Sequence, residues 1–313
     1  MRLQKNYLAF DIGGTYLKYA LINSAGTIIE RNKIPTPKQG LEYFKLEIEL
    51  IIQKYQEQIK GIAFSCPGKI DQNNKTIHFG GSLPFLDGVQ LTKALKIRED
   101  VPISIENDGK SAALAEMWLG QLKDASEGAA IVLGTGIGGG IIINGKLIQG
   151  SHFQAGELSF MLNDNASGNE KLFGYNSSAV RMIQSISREL QLKNIDDGPA
   201  VFEAIKAENP VACKIFNDYC RNIAVLIFNI QSVIDLKRFV ICGGISEQTL
   251  VVDQINSQYD QVLDEIPLAK QTLTRPEICN SAFHNDANLY GALYRLLLDI
   301  DNKNKLGSEQ NEN

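Results

Sequence analysis

Apolar residues run along this chain in short blocks, and each block stops at glycine, proline or charge. "YLAFD" at 7–11 and "LKYALIN" at 17–23 have the length and β-branched or aromatic content of strands. They are joined by the turn "IGGTY", and a third strand continues over 26–34. Residues 40–59 place Leu, Phe, Ile and Tyr at helical spacing. "GIAFSC" at 61–66 reads as a buried strand stopped by Pro67-Gly68, and "VPISIE" at 101–106 as another. The latter feeds the helical segment "GKSAALAEMWLG", with Gly120 placed to cap its C-terminal end.

The second half repeats the plan. "GAAIVLG" at 128–134 is a strand, followed by a glycine turn and the strand "GGIIIN". A long helix is predicted over about 208–235. "RFVICGGIS" at 238–246 gives strand, turn and helix start, and a last helix covers about 285–300. The polar tail that follows, 301–313, is expected to be disordered. A strand–glycine turn–strand hairpin therefore opens each half: "FDIGGTYLKYALIN" and, about 120 residues later, "VLGTGIGGGIIING". This weak duplication predicts two α/β halves facing one another across a cleft.

Composition narrows the function classes. The chain has 313 residues, 44% of them apolar, so a sizeable core is available. Its net charge of −5 gives no electrostatic footprint for nucleic acid. No apolar run approaches the roughly 18 residues of a membrane span. The start, "MRLQKNYLAFDIGG", lacks a secretory pattern. The cysteines, Cys66, Cys213, Cys220, Cys242 and Cys279, are odd in number and scattered, which predicts free thiols in a reducing cytoplasm. No C-x-x-C and no ligand-spaced histidine pair occurs, so no zinc site is expected.

The glycine turns carry the first candidate chemistry. Gly134, Gly136 and Gly139 satisfy G-x-G-x-x-G, the pattern of a dinucleotide site. That site needs the glycines to open a helix, whereas "IIING" after Gly140 reads as a strand ending in an Asn-Gly turn. The alternative is a hairpin whose glycines let backbone N–H groups approach phosphate. Thr15 and Thr135 add hydroxyls, Lys18 adds charge, and Asp11 at a strand end could hold Mg²⁺ through water. Ordinary tight turns with Asp11 as a cap would use the same residues; recurrence in both halves favours phosphate. "CGGIS" at 242–246 is a third glycine turn, suited to close approach of a nucleotide.

Two carboxylate segments follow. "IENDGKSAALAE" places Asn107 and Asp108 between a strand and a helix, where either serves as an N-cap. The same position faces the cleft of an α/β domain, where Asp108 could take a proton from a hydroxyl attacking a phosphoryl group. In "SHFQAGELSFM", Glu157 could accept from adjacent sugar hydroxyls or be a solvated loop acid.

Taken together, these segments resemble the ROK family of bacterial sugar kinases and related repressors over nearly the whole chain. "FDIGGTYLKYALI" and "LGTGIGGG" are similar to its two phosphate motifs. "FSCPGKID" resembles its sugar-side loop, "IENDGKSAALAE" its catalytic segment, "VICGGIS" its adenosine motif and "DANLYGAL" at 286–293 its closing motif. The resemblance implies an actin-like ATPase fold of two ribonuclease-H-like domains, 1–118 on the sugar side and 119–313 on the adenosine side. The last helix would pack back on the first domain. It implies ATP and Mg²⁺ as cofactors, with Asp108 as catalytic base and Asn107, Glu157, Gly68 and Glu106 on the sugar. Asp11, Gly13, Gly14, Thr15, Gly134, Thr135 and Gly136, with Lys18 and Gly138, would serve phosphate or metal, and Gly243 and Gly244 the adenosine.

Departures from the pattern matter as well. The family's zinc motif starts with a histidine where this chain has Phe160, and the segment after it contains no cysteine. Zinc-free relatives include enzymes acting on glucose, β-glucosides and N-acetylmannosamine. Gly109-Lys110 replaces the usual Ala-Asn, and Lys110 could lower the pKa of Asp108 or reach the sugar. The expected activity is transfer from ATP to a hexose hydroxyl, the 6-hydroxyl of glucose first, with loop 78–88 lining the sugar pocket. A β-glucoside or N-acetylmannosamine is the alternative acceptor. The repressor reading is set aside, because the first hairpin starts at residue 7 and leaves no preceding DNA-binding segment. A homodimer is the assembly that similar proteins suggest.

Overall fold

The computed structural model describes residues 5–163 and 168–311. The chain opens on the antiparallel strands β1 (Asn6–Ile12), β2 (Tyr16–Asn23) and β3 (Ile28–Pro35). After α1 (Leu41–Tyr55), β4 (Ile59–Cys66) joins β1 in parallel. A separate hairpin, β5 (Lys69–Asp71) and β6 (Thr76–His78), and the short α2 (Leu91–Ala94) precede β7 (Ile103–Asn107), which pairs parallel with β4. The sheet order is β3-β2-β1-β4-β7. Helix α3 (Asp108–Leu119) follows without a loop.

The second half rebuilds this sheet. β8 (Gly128–Leu133), β9 (Ile137–Ile143) and β10 (Lys146–Leu147) are antiparallel. Helices α4 (Phe173–Asn176), α5 (Ala179–Glu189), α6 (Gly198–Lys206) and α7 (Pro210–Ile234) come next. β11 (Arg238–Cys242), α8 (Thr249–Glu265), α9 (Pro267–Thr272), β12 (Glu277–Asn280) and α10 (Ala287–Asn311) complete the chain. The order β10-β9-β8-β11-β12 repeats the first sheet, antiparallel pairs on one side of the central strand and parallel on the other. The duplication read from the two hairpins thus extends to the whole sheet.

Strand alternation sorts the core into layers. Leu8, Phe10 and Ile12 of β1 face Phe44, Ile48 and Ile52 of α1, while Tyr7 and Ala9 face Leu289, Ala292 and Leu293 of α10. Ala129, Ile131 and Leu133 of β8 face Ile223 and Ile227 of α7, while Ala130 faces Ala112 and Ala113 of α3. Each central helix therefore covers the other half's sheet: α3 leaves the first sheet and packs on the second, and α10 does the reverse. The two helices lie against each other between the sheets.

That contact is made backbone to backbone. A Cβ on Gly291 of α10 would fall 1.7 Å from the Ser111 carbonyl oxygen of α3. On the opposite flank, a Cβ on Gly109 would lie 2.4 Å from the Gly139 nitrogen, and one on Gly140 would lie 2.6 Å from the Ala113 Cβ. The glycine run of β9 thus makes room for α3, in addition to forming a turn.

Two expectations are corrected. The tail from 301 continues α10 as helix to Asn311; residues 312 and 313 lie outside the described residues. Extending a helix already formed needs no new nucleus, so a polar sequence without proline can follow it. "CGGIS" opens a 3₁₀ turn over Gly244–Glu247, and the α-helix starts only at Thr249. No described helix is long and apolar enough to cross a membrane.

Replacing Gly291 by alanine should lower the unfolding free energy by roughly 1–3 kcal/mol, because the new methyl forces the helix pair apart. In Gly198→Ala the added Cβ meets only Ile183 Cδ1, at 3.5 Å, so this variant should be neutral or slightly more stable. Urea denaturation of both variants checks the contrast.

Candidate active site

The two glycine turns meet across the cleft between the sheets. Gly13 and Gly14 from the first, and Gly134, Thr135, Gly136 and Gly138 from the second, line one cavity of ≈ 640 Å³. Gly68, Asn107, Asp108 and Glu157 line the same cavity. Loop 78–88 contributes Phe79, Gly81 and Ser82.

The turns are shaped for an anion. Gly13 N–H closes the first on the Tyr16 carbonyl at 3.1 Å, and Gly134 N–H closes the second on the Gly136 carbonyl at 3.1 Å. The Gly14, Thr135 and Gly136 amides donate to no acceptor among the described residues. Such orphan donors beside glycine are what a phosphate would satisfy. At Gly14 and Gly136 the nearest neighbours a side chain would strike are hydroxyl groups, those of Ser82 and Ser159.

Asn107 is the N-cap of α3: its Oδ1 accepts from the Lys110 amide at 3.1 Å. Its Nδ2 donates to the Gly68 carbonyl at 2.9 Å, tying the 67–69 loop to the helix start. Asp108 is then the first helical residue, half-buried, with Oδ1 accepting from Gly109 N–H at 2.8 Å. Burial pushes its pKa up to about 6, and the nearby charges of Asp11 and Glu157 push the same way. Burial also raises the pKa of Glu157, whose carboxylate accepts no hydrogen bond among the described residues. One carboxylate near neutrality and one without a partner, on the same wall, are equipped to take protons from hydroxyl groups.

Six expected site residues stand off this wall. Asp11 lies behind the first turn, its carboxylate taking Asn288 Nδ2 at 3.0 Å and pairing with Lys18 at 3.2 Å. Lys18 also donates to the Asn285 carbonyl, so its charge is spent on Asp11 and the turn that leads into α10. Two donors leave the Asp11 carboxylate with lone pairs, enough for a role through water. Thr15 is exposed at the turn's tip, its carbonyl accepting from Thr36 N–H at 3.0 Å. Gly243 has φ 98° and is pressed on Leu133, where a Cβ would lie 2.2 Å from the carbonyl oxygen; Gly244 is exposed beside it. Gly243 thus buttresses the strand end that leads into the second turn.

Glu106 is the sixth, and here the structure corrects the expectation of a sugar ligand. It is fully buried, accepting from Asn107 N–H at 2.9 Å and Gln149 Nε2 at 2.7 Å, with Arg295 at 3.7 Å. It lies in the interior beside α10, whereas Asp108, already on α3, is turned to the cavity by the helix start. Lys110 also takes neither role expected of it. Its Nζ donates to Gln149 Oε1 at 2.9 Å and to the Phe153 carbonyl at 2.8 Å, within the protein. Burial lowers its pKa, opposed by Glu106 and Glu157. A chain of polar contacts thus runs from Phe153 through Lys110, Gln149 and Glu106 to Arg295 and Asp299 of α10. It pins the loop that carries Glu157. Gln149 was not legible as part of this, because nothing in its surroundings sets a period.

Among the described residues no group of three or more His, Cys, Asp or Glu side chains is placed to hold a metal ion.

The ROK family model matches residues 7–298. A β-glucoside kinase of Listeria innocua is 29% identical over 296 residues, spanning 92% of this chain and 96% of its own. An N-acetylmannosamine kinase of Yersinia pestis is 30% identical over 243 residues, spanning 76% and 82%. Among solved structures, a ROK family protein from Streptococcus pneumoniae in complex with sucrose superposes with TM-score 0.85 at 28% identity, covering 95% of this chain and 99% of that one.

Two outcomes test this geometry without reference to activity. The unfolded Asp108 carboxyl titrates near 3.8 and the folded one near 6, so the fold loses stability as pH rises through that window. Asp108→Asn should therefore raise the melting temperature at pH 8 by roughly 2–4 °C and give no gain at pH 4, read by calorimetry. Lys110→Met should speed amide exchange over residues 149–157 at least about tenfold, because it removes both hydrogen bonds that hold that loop.

Proposed function

The chain belongs to the ROK family and has its actin-like ATPase fold, and from that premise we propose that it is an ATP-dependent sugar kinase with Asp108 as its base. The observation that carries this is the meeting of Asp108 and both glycine turns on one cavity wall. Phosphoryl transfer demands in-line placement and charge neutralisation more than covalent chemistry.

In this reading ATP lays its phosphates between the turn at Gly13, Gly14 and Thr15 and the turn at Gly134, Thr135, Gly136 and Gly138. Gly243 and Gly244 border the adenosine. Asp11 would hold Mg²⁺ through water, and the ion would supply positive charge to the phosphates. Asp108 accepts the proton of the acceptor hydroxyl as its oxygen bonds to the γ-phosphorus and the bond to ADP breaks. Its pKa suits it to that work at neutral pH, where it is ionised yet still basic. Glu157 and Asn107 fix which hydroxyl is presented, and Gly68 borders the sugar. Glu106 and Lys110 position these groups without touching the substrate.

The acceptor is a hexose unit, phosphorylated at its 6-hydroxyl. The near-complete coverage of the Listeria relative supports a β-glucoside ahead of free glucose, and the Yersinia relative keeps N-acetylmannosamine as the alternative.

A coupled assay for ADP release across glucose, cellobiose, mannose, N-acetylmannosamine and N-acetylglucosamine tests the reading. At least one sugar should stimulate turnover well above the sugar-free rate. kcat/KM should rise with pH through about 6 as Asp108 ionises. Asp108→Asn should cut kcat by roughly 10²–10⁴-fold while sugar affinity moves little. Undiminished turnover in that variant would refute the assignment.

A further inference from the structure

Two large apolar rings stand in water on the wall of this cavity. Phe79 is 72% exposed and Phe160 is 66% exposed. Neither takes part in the phosphoryl-transfer chemistry described above.

Phe79 is held in an unfavourable conformation. Its φ is +55°, a region that bulky side chains rarely occupy. The surroundings over-determine it. Its N–H donates to Asp87 Oδ1 at 2.9 Å, and its carbonyl accepts from Gly81 N–H. Gly68 lies so close that a Cβ there would sit 2.5 Å from the Phe79 oxygen. Backbone strain kept at a ligand cleft, on a ring turned to solvent, calls for a functional reason. Phe160 closes the 3₁₀ turn Leu158–Phe160. That turn is pinned by buried Leu158 and by the Ser159 hydroxyl, which bonds both the Ile137 amide, at 3.0 Å, and its carbonyl, at 2.8 Å. Phe160 is thus turned outward from a fixed support.

Both rings hang from the acceptor side. Phe79 abuts Gly68, which Asn107 holds, and Phe160 lies three residues beyond Glu157. A pyranose has an apolar C–H face that stacks on an aromatic ring and a hydroxyl edge that stays in water. Exposed rings at a cleft mouth suit such a partner better than a fully apolar one.

Resting on the kinase reading, we propose that Phe79 and Phe160 form an aromatic rim that seats the second ring of a glycosidic acceptor, so that a β-linked disaccharide is phosphorylated in preference to the free hexose. The sugar joined to the reacting hexose stacks on the rim while the 6-hydroxyl reaches Asp108.

The test is kcat/KM for cellobiose and for glucose in the full chain and in Phe79→Ala, Phe160→Ala and the double variant. The wild-type ratio should favour cellobiose. Each single variant should lower that ratio about tenfold, and Phe→Tyr at either position should keep it. Phe79→Gly separates a binding role from a structural one. It relieves the left-handed strain, so its melting temperature should hold or rise while the ratio falls. An unchanged ratio, an equal loss on both sugars, or a rise confined to the KM for ATP would overturn the rim while leaving the kinase reading intact. A wild-type chain that releases no ADP with any sugar would overturn both.

Discussion

Helix α3 has almost no freedom, and the site depends on that. Its first turn lies against the glycine strand β9, and its next turn lies against Gly291 of α10, both at backbone distance. Alanines 112, 113 and 115 complete the contact with side chains too small to adjust. Asp108 therefore keeps a fixed relation to the second glycine turn although it enters from the first sheet. The first turn is tied in more loosely, by Asn288 on Asp11 and by Lys18 on the Asn285 carbonyl. One tie comes from the first turn of α10, the helix that α3 leans on, and the other from the 3₁₀ turn His284–Asp286 just before it.

The polar groups around this contact divide into two sets. Asp108 and Glu157 face the cavity with few partners, and burial keeps both weaker acids than usual. Behind them, Gln149 bridges Lys110 and Glu106, and Arg295 lies between Glu106 and Asp299. Buried charges survive when paired or hydrogen-bonded, and Glu106 and Lys110 each keep two hydrogen bonds within the protein. The inner set keeps the outer set in place, while the outer set remains free to exchange protons.

Much of the fold was legible in the sequence because alternation and glycine punctuation act locally. The hairpins at both ends of the duplication, the strand before Asn107 and the long helix after Asn209 follow from period and caps alone. The helix exchange was not legible in the same way, since "AALAE" does not say which sheet it will cover. At the site, strand-end logic located Asp108, and Asn107 proved to be the cap that the same logic offered. Glu106, placed on the sugar by the resemblance, and Lys110, given two possible roles, were not resolved by that logic; the structure turns both inward to partners about forty residues away in sequence. In the sequence Phe160 stands only as the replacement for a zinc-motif histidine and Phe79 only within loop 78–88; that their rings stand exposed was not legible, for another reason. Exposure and a positive φ are tertiary facts, and an isolated phenylalanine in a loop carries no periodic signal.

The traded helices also bear on how the molecule can be divided. A fragment ending after α3 would carry a helix whose proper sheet is missing, and a sheet whose proper helix is missing. The complementary fragment would have the same defect in reverse. Neither piece is a module to be borrowed for another protein. Each is one strand of an interlock, suited to fragment complementation, in which co-expressed halves regain order only by finding each other.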